Sequence, residues 1–378
     1  MRIAMLQHSF NPTTIGWVRG LEARGHDVLT VVADRSEPFG GWPEDLRVSV
    51  VANADGPMSR LARLLLRGRK HTVVALPRSR DLWRTLASFR PDVVIVKVYS
   101  LRNVVVLLIA LALRIRRVAW IEQAAPPNLE WRALRRVGVL PRRLFATNDV
   151  RSGGIADPLD PPAGGLPVIS YAPVLPDPAV REPLPGRPVR ILTAAAFWDP
   201  QHKRPFWTLE AARDEGLLDG RCTFTFTGLG KRPGSRGAPR KYVSQHRIAE
   251  LTEELDVGHL VDLRVNVPYL EMSAVYAEHD VLVLPSAWEQ FGMVVPEAMA
   301  HGVAVVASDC VGSRGCIVPG VTGELFVTDD RDDLARILRE LVEAPERIAR
   351  MGREGRAFME RHASPDRTAR MLEGLLGR

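Results

Sequence analysis

Residues 281–302 read VLVLPSAWEQFGMVVPEAMAHG, the order of a buried strand, a loop, a glycine turn and a short helix. Four consecutive apolar residues at 281–284 are typical of a strand that is covered on both faces of a parallel sheet. The helix is expected to follow the turn at Gly292 and to stop at Gly302, since glycine is common just beyond a helix C-terminus. A strand that leads straight into a helix is half of a βαβ unit, so the pattern predicts an α/β fold.

Two glutamates flank this turn, at positions 289 and 297. Glu289 is expected in the loop beyond the strand, and Glu297 in the first turns of the helix. The N-terminus of a helix offers unpaired N–H groups and a partial positive charge, which suit a phosphate group. Carboxylates nearby can accept hydrogen bonds from sugar hydroxyls, so the pattern indicates a nucleotide-sugar site. The alternative is an ordinary acid at a helix start and a solvated loop residue.

The same alternation of strand and helix runs through the chain in two series, separated by a proline-rich segment. Ten prolines lie between residues 157 and 188, where missing backbone donors and fixed φ angles predict a semi-rigid connection. Strands that alternate with helices predict parallel sheets with helices on both faces. Strands are predicted at 2–6, 28–33, 91–96, 117–121, 189–193, 223–227, 261–265, 281–284 and 303–307, and helices at 104–113, 206–214, 332–342 and 346–361.

The length of 378 residues is too great for one ordinary core, and two domains of about 150–200 residues are expected. Residues 1–176 are predicted to form the first domain and residues 189–363 the second, each a doubly wound parallel sheet. Residues 177–188 would be the linker between them. A last helix is expected at 364–378.

The composition limits which classes of binding partner and which cellular compartments fit this protein. The formal net charge is +7, supplied almost wholly by arginine, which suggests an anionic partner such as a nucleotide, a phospholipid or a nucleic acid. The three cysteines form no CxxC pair, which fits a reducing cytoplasm better than secretion. The first six residues, MRIAML, predict a strand rather than a signal peptide. The longest apolar run, 104–113, is shorter than the ~20 residues that a membrane span needs.

The block at 285–299 resembles the E-x7-E signature of the retaining GT-B glycosyltransferases, the "glycosyl transferases group 1" family (family 4 of the retaining enzymes). Residues 277–286, 301–309 and 320–325 resemble neighbouring parts of the same family. The resemblance implies a GT-B fold, in which two Rossmann-like domains face a cleft and a last helix packs back on the first domain. It also implies transfer of a sugar, with retention, from a nucleoside-diphosphate sugar (NDP-sugar) to a lipid-linked, glycan or small-molecule acceptor. Neither a metal nor another cofactor is expected.

The resemblance also assigns roles to residues of the block. Glu289 would contact the donor sugar, and Glu297 would bind the hydroxyls of the ribose. The backbone amides of Phe291, Gly292 and Met293 would meet the pyrophosphate or the sugar. The second domain is therefore expected to bind the donor, and the first domain the acceptor.

Two cations follow the first strand of the second series, in a loop expected to face the site. Lys203 matches the lysine that the family places there, and a cation at this point can stabilise the departing diphosphate. The family's arginine is missing from its usual place, and Arg204 is the candidate substitute. The alternative is that both are solvated surface cations.

Gly228 and Gly230 follow the strand 223–227 and resemble the G-x-G turn of the family, which lets the backbone approach the nucleotide. A G-x-G pair without a third glycine is not the fingerprint of a dinucleotide-binding domain. No acidic residue stands where an NAD ribose would require one. These features argue against a dehydrogenase.

The first half matches the family less well. Gly16 is the only counterpart of the glycine-rich turn that the family shows after its first strand. Gln123 stands where the family often has a histidine near the donor sugar, and its amide can hydrogen-bond a sugar hydroxyl. These departures and the missing arginine favour an alternative, a non-catalytic sugar-nucleotide-binding relative or scaffold. A nucleic-acid-binding protein is a weaker alternative, since it rests on charge alone and no reader motif is present.

Two further patterns have more than one interpretation. Residues 330–332 spell Asp-Arg-Asp, which binds metal in other glycosyltransferases, but aspartates ahead of a helix are predicted to cap it. Residues 60–70 mix leucines with cations and predict either an ordinary surface helix or a basic amphipathic helix on an anionic membrane. The second possibility would place a cytoplasmic protein at the inner face of the membrane.

Overall fold

The computed structural model of this protein describes twelve ranges of the chain. They are residues 1–7, 12–33, 43–53, 77–97, 101–115, 117–122, 144–146, 186–197, 199–230, 243–289, 292–315 and 317–377. These residues form two compact units. The first contains the described residues up to 146 together with 365–377, and the second contains 186–364.

The first unit is built on a six-stranded sheet in which every pair of neighbouring strands is parallel. Its strands are β1 Arg2–Gln7, β2 Asp27–Val32, β3 Val48–Val50, β4 Val93–Lys97, β5 Arg117–Glu122 and β6 Leu144–Ala146. Its first helices are α1 Pro12–Ala23, α2 Ser79–Phe89 and α3 Leu101–Ala112. Apolar residues of the sheet pack against α2 and α3, with Leu82 and Val106 fully buried.

The second unit holds a second parallel sheet of six strands. Its strands are β7 Val189–Ala194, β8 Cys222–Gly228, β9 Val261–Val265, β10 Val281–Leu284, β11 Ala304–Ser308 and β12 Glu324–Phe326. Its helices are α4 Pro200–Lys203, α5 Trp207–Asp214, α6 Val243–Glu254, α7 Met272–Ala277 (preceded by a 3₁₀ turn, Tyr269–Glu271), α8 Val294–Ala300, α9 Val311–Arg314, α10 Arg331–Glu343 and α11 Pro345–His362. The predicted fold class, two Rossmann-like parallel sheets, is confirmed.

Strand β10 shows why its sequence is apolar at every position. Successive side chains of a strand point to opposite faces. Val281 and Val283 enter the core on one face of the sheet, while Leu282 and Leu284 enter the core on the other. All four are buried, as expected of a central strand in a doubly wound sheet.

Both sheets have the same strand order. The first runs β3-β2-β1-β4-β5-β6 and the second β12-β11-β10-β7-β8-β9, which is the order 3-2-1-4-5-6 when the strands are numbered within each unit. The order reverses between β1 and β4, and again between β7 and β10. Ligands of such sheets bind beyond the carboxyl ends of the strands at this reversal. In the second unit, the residues after β7 and β10 are therefore the first candidates for a ligand-binding site.

The last helix, α12 Pro365–Gly377, belongs to the first unit although it follows the second in sequence. It lies so close to α1 that a Cβ atom at Gly20 would stand 2.2 Å from the Pro365 carbonyl oxygen. Arg24 forms ion pairs with Asp366 and Glu373 at the same contact. Tight packing and ion pairs thus join the end of the chain to its beginning.

Several expectations differ from the structure or fall outside it. Gly16, expected in a turn, lies inside α1, because the helix already begins at Pro12; the expectation of a turn was wrong. Three strands were not predicted, since β3, β6 and β12 have three residues each and give no periodic pattern. The segment 60–70 and most of the expected linker lie outside the described residues. Among the helices described, none has the length and hydropathy to span a membrane.

Candidate functional site

Two loops meet where the strand order of the second sheet reverses. The loop after β7 holds α4, a single turn that ends at Lys203. Asp199 caps this turn, since its carboxylate accepts a hydrogen bond from the His202 N–H at 3.4 Å. The loop after β10 is tied to it by the Ala287 N–H, which donates to the His202 carbonyl at 2.6 Å. The residues that follow the two strands are therefore held together.

The Glu289 carboxylate binds two side chains from these loops. Lys203 Nζ lies 2.5 Å from its Oε1 atom, and the Ser286 hydroxyl donates to the same atom at 2.8 Å. The side chain of Glu289 is 10% exposed and that of Lys203 24%, so salt and water screen this pair less than an exposed one. Lys203 and Glu289, both predicted site residues 86 positions apart, thus form one ion pair. Ser286 was missed, although a hydroxyl three residues before Glu289 is a signal for such a contact.

The backbone beyond Glu289 is fixed from several directions. The Glu289 carbonyl accepts a hydrogen bond from the Gly312 N–H at 3.0 Å, and the Ser308 hydroxyl donates to the Ser286 carbonyl. Gly292 has a φ of 56°, a left-handed conformation that glycine adopts without strain. Within the described residues, the N–H groups of Gly292 and Met293 donate to no acceptor. The predicted glycine turn is therefore present, and it leads into α8.

Glu297, the second predicted glutamate, lies in the first turn of α8 and is 4% exposed. Its Oε2 atom accepts a hydrogen bond from the Tyr276 hydroxyl at 2.8 Å. Tyr276 is fully buried, and burial, followed by the nearby Glu297 carboxylate, raises the pKa of Tyr276 well above 10. The phenol therefore stays protonated and acts as the donor. This contact was not predicted, because it joins two helices and leaves no local pattern in the sequence.

Gly228 and Gly230 lie where β8 ends beside β7 and β9. A Cβ atom at Gly228 would stand 1.8 Å from the Ala195 carbonyl oxygen, and one at Gly230 2.3 Å from Val265 Cγ1. Only glycine lets these segments approach so closely. Asn266, just after β9, fixes the turn: its N–H donates to the Gly228 carbonyl and its Oδ1 accepts from the Gly230 N–H, both at 2.9 Å.

Asn266 was not predicted as a site residue from the sequence. Its φ of 61° places it in the left-handed region, where asparagine is several-fold enriched among the non-glycine residues. An asparagine directly after a predicted strand is therefore the signal that could have drawn attention to it.

Arg204, the candidate substitute for the missing family arginine, has other partners in the structure. Its guanidinium forms an ion pair with Asp329 and lies 4.5 Å from the ring centroid of Trp207. Its Nε atom donates to the Gln201 carbonyl at 3.0 Å. These contacts anchor the end of α4 to α5 and to the loop before α10. The two remaining predicted site residues, Gln123 and Phe291, lie outside the described residues.

The Asp-Arg-Asp sequence at 330–332 has the predicted capping role. Asp330 Oδ1 accepts a hydrogen bond from the Asp333 N–H at 3.0 Å at the start of α10. Asp333 in turn accepts from the Val327 N–H at 2.8 Å. The carboxylate of Asp330 thus caps the N-terminus of α10, as expected of an N-cap residue.

Part of the chain that forms this site matches the model of a known protein family. Residues 208–358 match the family model described as glycosyl transferases group 1. The match covers 151 of the 378 residues of the chain. The matched region contains Glu289 and Glu297, and Lys203 lies just before it. The prediction drawn from the block at 285–299 is confirmed for the glycosyl transferases group 1 family.

Curated relatives of this family match the chain over a limited stretch. The D-inositol 3-phosphate glycosyltransferase of Thermobispora bispora is 34% identical over 117 residues, which are 31% of this chain and 26% of that protein. The corresponding protein of Thermobifida fusca is 33% identical over 129 residues, 34% of this chain and 29% of that protein. The matched stretch thus spans little more than a quarter of the length of these relatives.

Solved structures resemble the chain over nearly its whole length. The sucrose-phosphate synthase of Thermosynechococcus elongatus has a TM-score of 0.64 at 17% identity, over 99% of this chain and 98% of the other. The Anabaena protein HepE, crystallised with UDP-glucose, has a TM-score of 0.65 at 17% identity, over 100% of both chains. At this level of identity the likeness concerns the fold, which is that of the GT-B glycosyltransferases.

Proposed function

We propose that this protein is a glycosyltransferase that takes a sugar from an NDP-sugar and binds the donor at the carboxyl edge of β7 and β10. The observation that carries the proposal is the meeting of Lys203 and Glu289 at the reversal of strand order, where doubly wound sheets bind their ligands. The family match supports the reaction class. The complex of HepE with UDP-glucose supports the class of donor.

Lys203 is proposed to act on the departing diphosphate. When the bond between the anomeric carbon and the diphosphate oxygen breaks, the electron pair remains on that oxygen and its negative charge grows. A positioned, partly buried cation stabilises such charge strongly. Lys203 would supply this cation without a metal ion. The acceptor hydroxyl oxygen forms the new bond to the anomeric carbon, and its proton passes to the diphosphate.

Glu289 and the turn beyond it are proposed to hold the donor sugar. The carboxylate is fixed by Ser286 and Lys203 through one oxygen, Oε1, which orients the group. The N–H groups of Gly292 and Met293 are proposed to donate to the pyrophosphate. Glu297 is proposed to accept the ribose hydroxyls. Transfer with retention follows from the family resemblance and is part of the same proposal.

Turnover of a panel of NDP-sugars tests the function directly. Release of nucleoside diphosphate should be measured with UDP-, GDP- and ADP-sugars, with and without EDTA. We expect one nucleotide class to be turned over, equally fast with the chelator. No turnover of any donor, in a protein whose melting temperature no donor raises, would refute the proposal.

A second candidate function is donor binding without catalysis. Arg204 favours it, since its contacts with Asp329 and Trp207 leave the family's missing arginine without an evident replacement. A donor that raises the melting temperature but is neither transferred nor hydrolysed would identify this alternative.

A further inference from the structure

A buried polar cluster joins α7 to α8, and the reaction proposed above leaves most of it without a role. Tyr276 and Ser273 lie on α7, Glu297 lies on α8, and His301 lies directly after α8. All four are buried, with exposed fractions of 0%, 5%, 4% and 5%. Burial of polar groups is unfavourable unless they are hydrogen-bonded, so the contacts within this cluster must be well satisfied.

The hydrogen bonds of the cluster have a definite direction. The Tyr276 hydroxyl lies 2.8 Å from Glu297 Oε2, and because the phenol remains protonated it donates and the carboxylate accepts. His301 Nδ1 lies 2.8 Å from the Glu297 carbonyl oxygen, so this nitrogen carries a proton. In the neutral imidazole the other nitrogen, Nε2, then accepts from the Ser273 hydroxyl at 2.9 Å.

The cluster therefore holds Glu297 at two points. Tyr276 binds its carboxylate and His301 binds its backbone, while the rings of Tyr276 and His301 pack with centroids 5.3 Å apart. A fixed side chain loses less rotamer freedom when it binds a ligand. This effect favours a carboxylate that accepts hydrogen bonds from a ligand's hydroxyls.

We propose that Tyr276 is a positioning residue for the donor, which holds the Glu297 carboxylate oriented toward the ribose hydroxyls. The inference rests on the proposed function, since it requires that Glu297 accept those hydroxyls. Tyr276 would not touch the donor, because it is fully buried. Its effect would therefore appear as selectivity for ribose hydroxyls rather than as a general change in affinity.

The test compares two probes, the nucleoside diphosphate of the preferred donor and its 2′,3′-dideoxy counterpart, by calorimetry. Wild-type protein should prefer the ribose form by about tenfold or more, the range for hydrogen bonds to a charged group. In Tyr276→Phe the preference should fall below about threefold, while the affinity for the dideoxy form stays unchanged. Glu297→Gln should lower the preference to a similar extent, and the double variant should lower it no further.

Thr208→Val is the matched control. It also removes one buried hydroxyl contact from the second unit, that between Thr208 and Thr193 at 2.8 Å, but it does not touch the cluster. The control should keep the wild-type preference. A Tyr276→Phe protein that keeps the preference, or that loses affinity for both probes equally, would overturn the inference.

A measurement on the wild-type protein covers the case in which Tyr276→Phe does not fold. The chain has five tyrosines, so a spectrum of protein labelled with ¹³C at tyrosine Cζ is simple to assign. The Tyr276 resonance should shift with the ribose form and shift much less with the dideoxy form; equal shifts would contradict the inference. Failure of the proposed function looks different, because wild-type protein would then bind neither probe.

Discussion

Lys203 Nζ faces the Glu289 carboxylate at 2.5 Å, so a diphosphate that binds there brings a second anion to the same cation. Lys203 carries its charge on a flexible stem, which allows it to reach a new partner. The Ser286 hydroxyl also donates to Glu289 Oε1, and this contact does not depend on Lys203. The pair is thus suited to exchange a carboxylate for a phosphate without leaving Glu289 unbonded.

Removal of this cation should affect the chemical step more than the fold. Lys203→Met keeps an unbranched side chain of similar length but removes the charge. We expect kcat for donor turnover to fall by about 10²–10³, as when one stabilising group for transition-state charge is removed. Steady-state kinetics with the preferred donor measures this change.

Arg204→Met serves as the control for Lys203. Because Arg204 pairs with Asp329 and packs on Trp207, its loss should lower stability slightly and change kcat by no more than a few-fold. A larger loss of kcat in Arg204→Met than in Lys203→Met would mean that Arg204 is the catalytic cation.

His279 is expected to make the protein sensitive to acid. It is 5% exposed and donates from Nδ1 to the Val275 carbonyl at 2.6 Å, and burial lowers its pKa below the ordinary 6.5. As the pH falls below about 6.5, the unfolded chain takes up a proton that the folded protein resists. The free energy of unfolding therefore decreases in this range. Above about pH 6.5, the contribution of His279 to the free energy of unfolding is fully retained.

Urea unfolding at pH 7.5 and 5.5 measures this effect. His279→Gln keeps an amide donor for the Val275 carbonyl but cannot be protonated. We expect the variant to lose less stability than the wild type between the two pH values. The same loss in both proteins would show that other groups are responsible.

At the scale of elements, the strand ends of the second sheet are brought together by glycine. Gly228→Ala would put a Cβ atom 1.8 Å from a backbone oxygen, that of Ala195, which cannot swing aside. We expect a loss of about 1–3 kcal/mol in the free energy of unfolding, the range for overpacking. Donor affinity should also fall, because Ala195 begins the loop that leads to Lys203.

Gly258→Ala is the control for Gly228→Ala. Gly258 has nothing within 4 Å of an added Cβ and no positive φ. The free energy of unfolding of the Gly258→Ala protein should therefore differ from that of the wild type by less than about 0.5 kcal/mol. Equal stability of the two variants in urea titration would show that the approach of Ala195 to β8 is not tight in solution.

Local sequence patterns predicted many of the strands and several helices, but they missed the amphipathic helix Ser79–Phe89 and the contacts between elements. The strands at 261–265 and 281–284 were predicted with the bounds found for β9 and β10, because apolar content and flanking turns mark them. Lys203 and Glu289 were both predicted as site residues, but their pairing depends on the strand order, which no local pattern gives. Tyr276 was missed because its contact joins two helices and leaves no local pattern, whereas Asn266 did have a local signal in its position directly after β9.

At the scale of the whole molecule, the chain ends on the unit in which it begins. The Arg24 guanidinium binds Glu373 and Asp366. The hydrogen bond to Glu373, followed by that to Asp366, raises the pKa of Arg24. His26 Nε2 also lies 2.7 Å from Glu373 Oε1. Leu372 and Leu376 of α12 are buried, so this helix completes the core of the first unit.

Displacement of α12 should therefore loosen the first unit selectively. Gly20→Ala would put a Cβ atom 2.2 Å from the Pro365 carbonyl oxygen, and hydrogen exchange should increase in α1 and α12 but not in β7–β11. Gly374→Ala, on α12 with nothing within 4 Å, should leave exchange unchanged or slow it, since alanine favours a helix over glycine. Uniform acceleration over both units in Gly20→Ala would contradict this account.

The central claim is that the donor binds at the carboxyl edge of β7 and β10, and a crystal structure with the preferred NDP-sugar tests it most directly. The claim predicts a diphosphate oxygen within hydrogen-bond distance of Lys203 Nζ, the sugar against Glu289 and the ribose hydroxyls on Glu297. A diphosphate bound elsewhere, with Lys203 Nζ still on Glu289 Oε1, would contradict it.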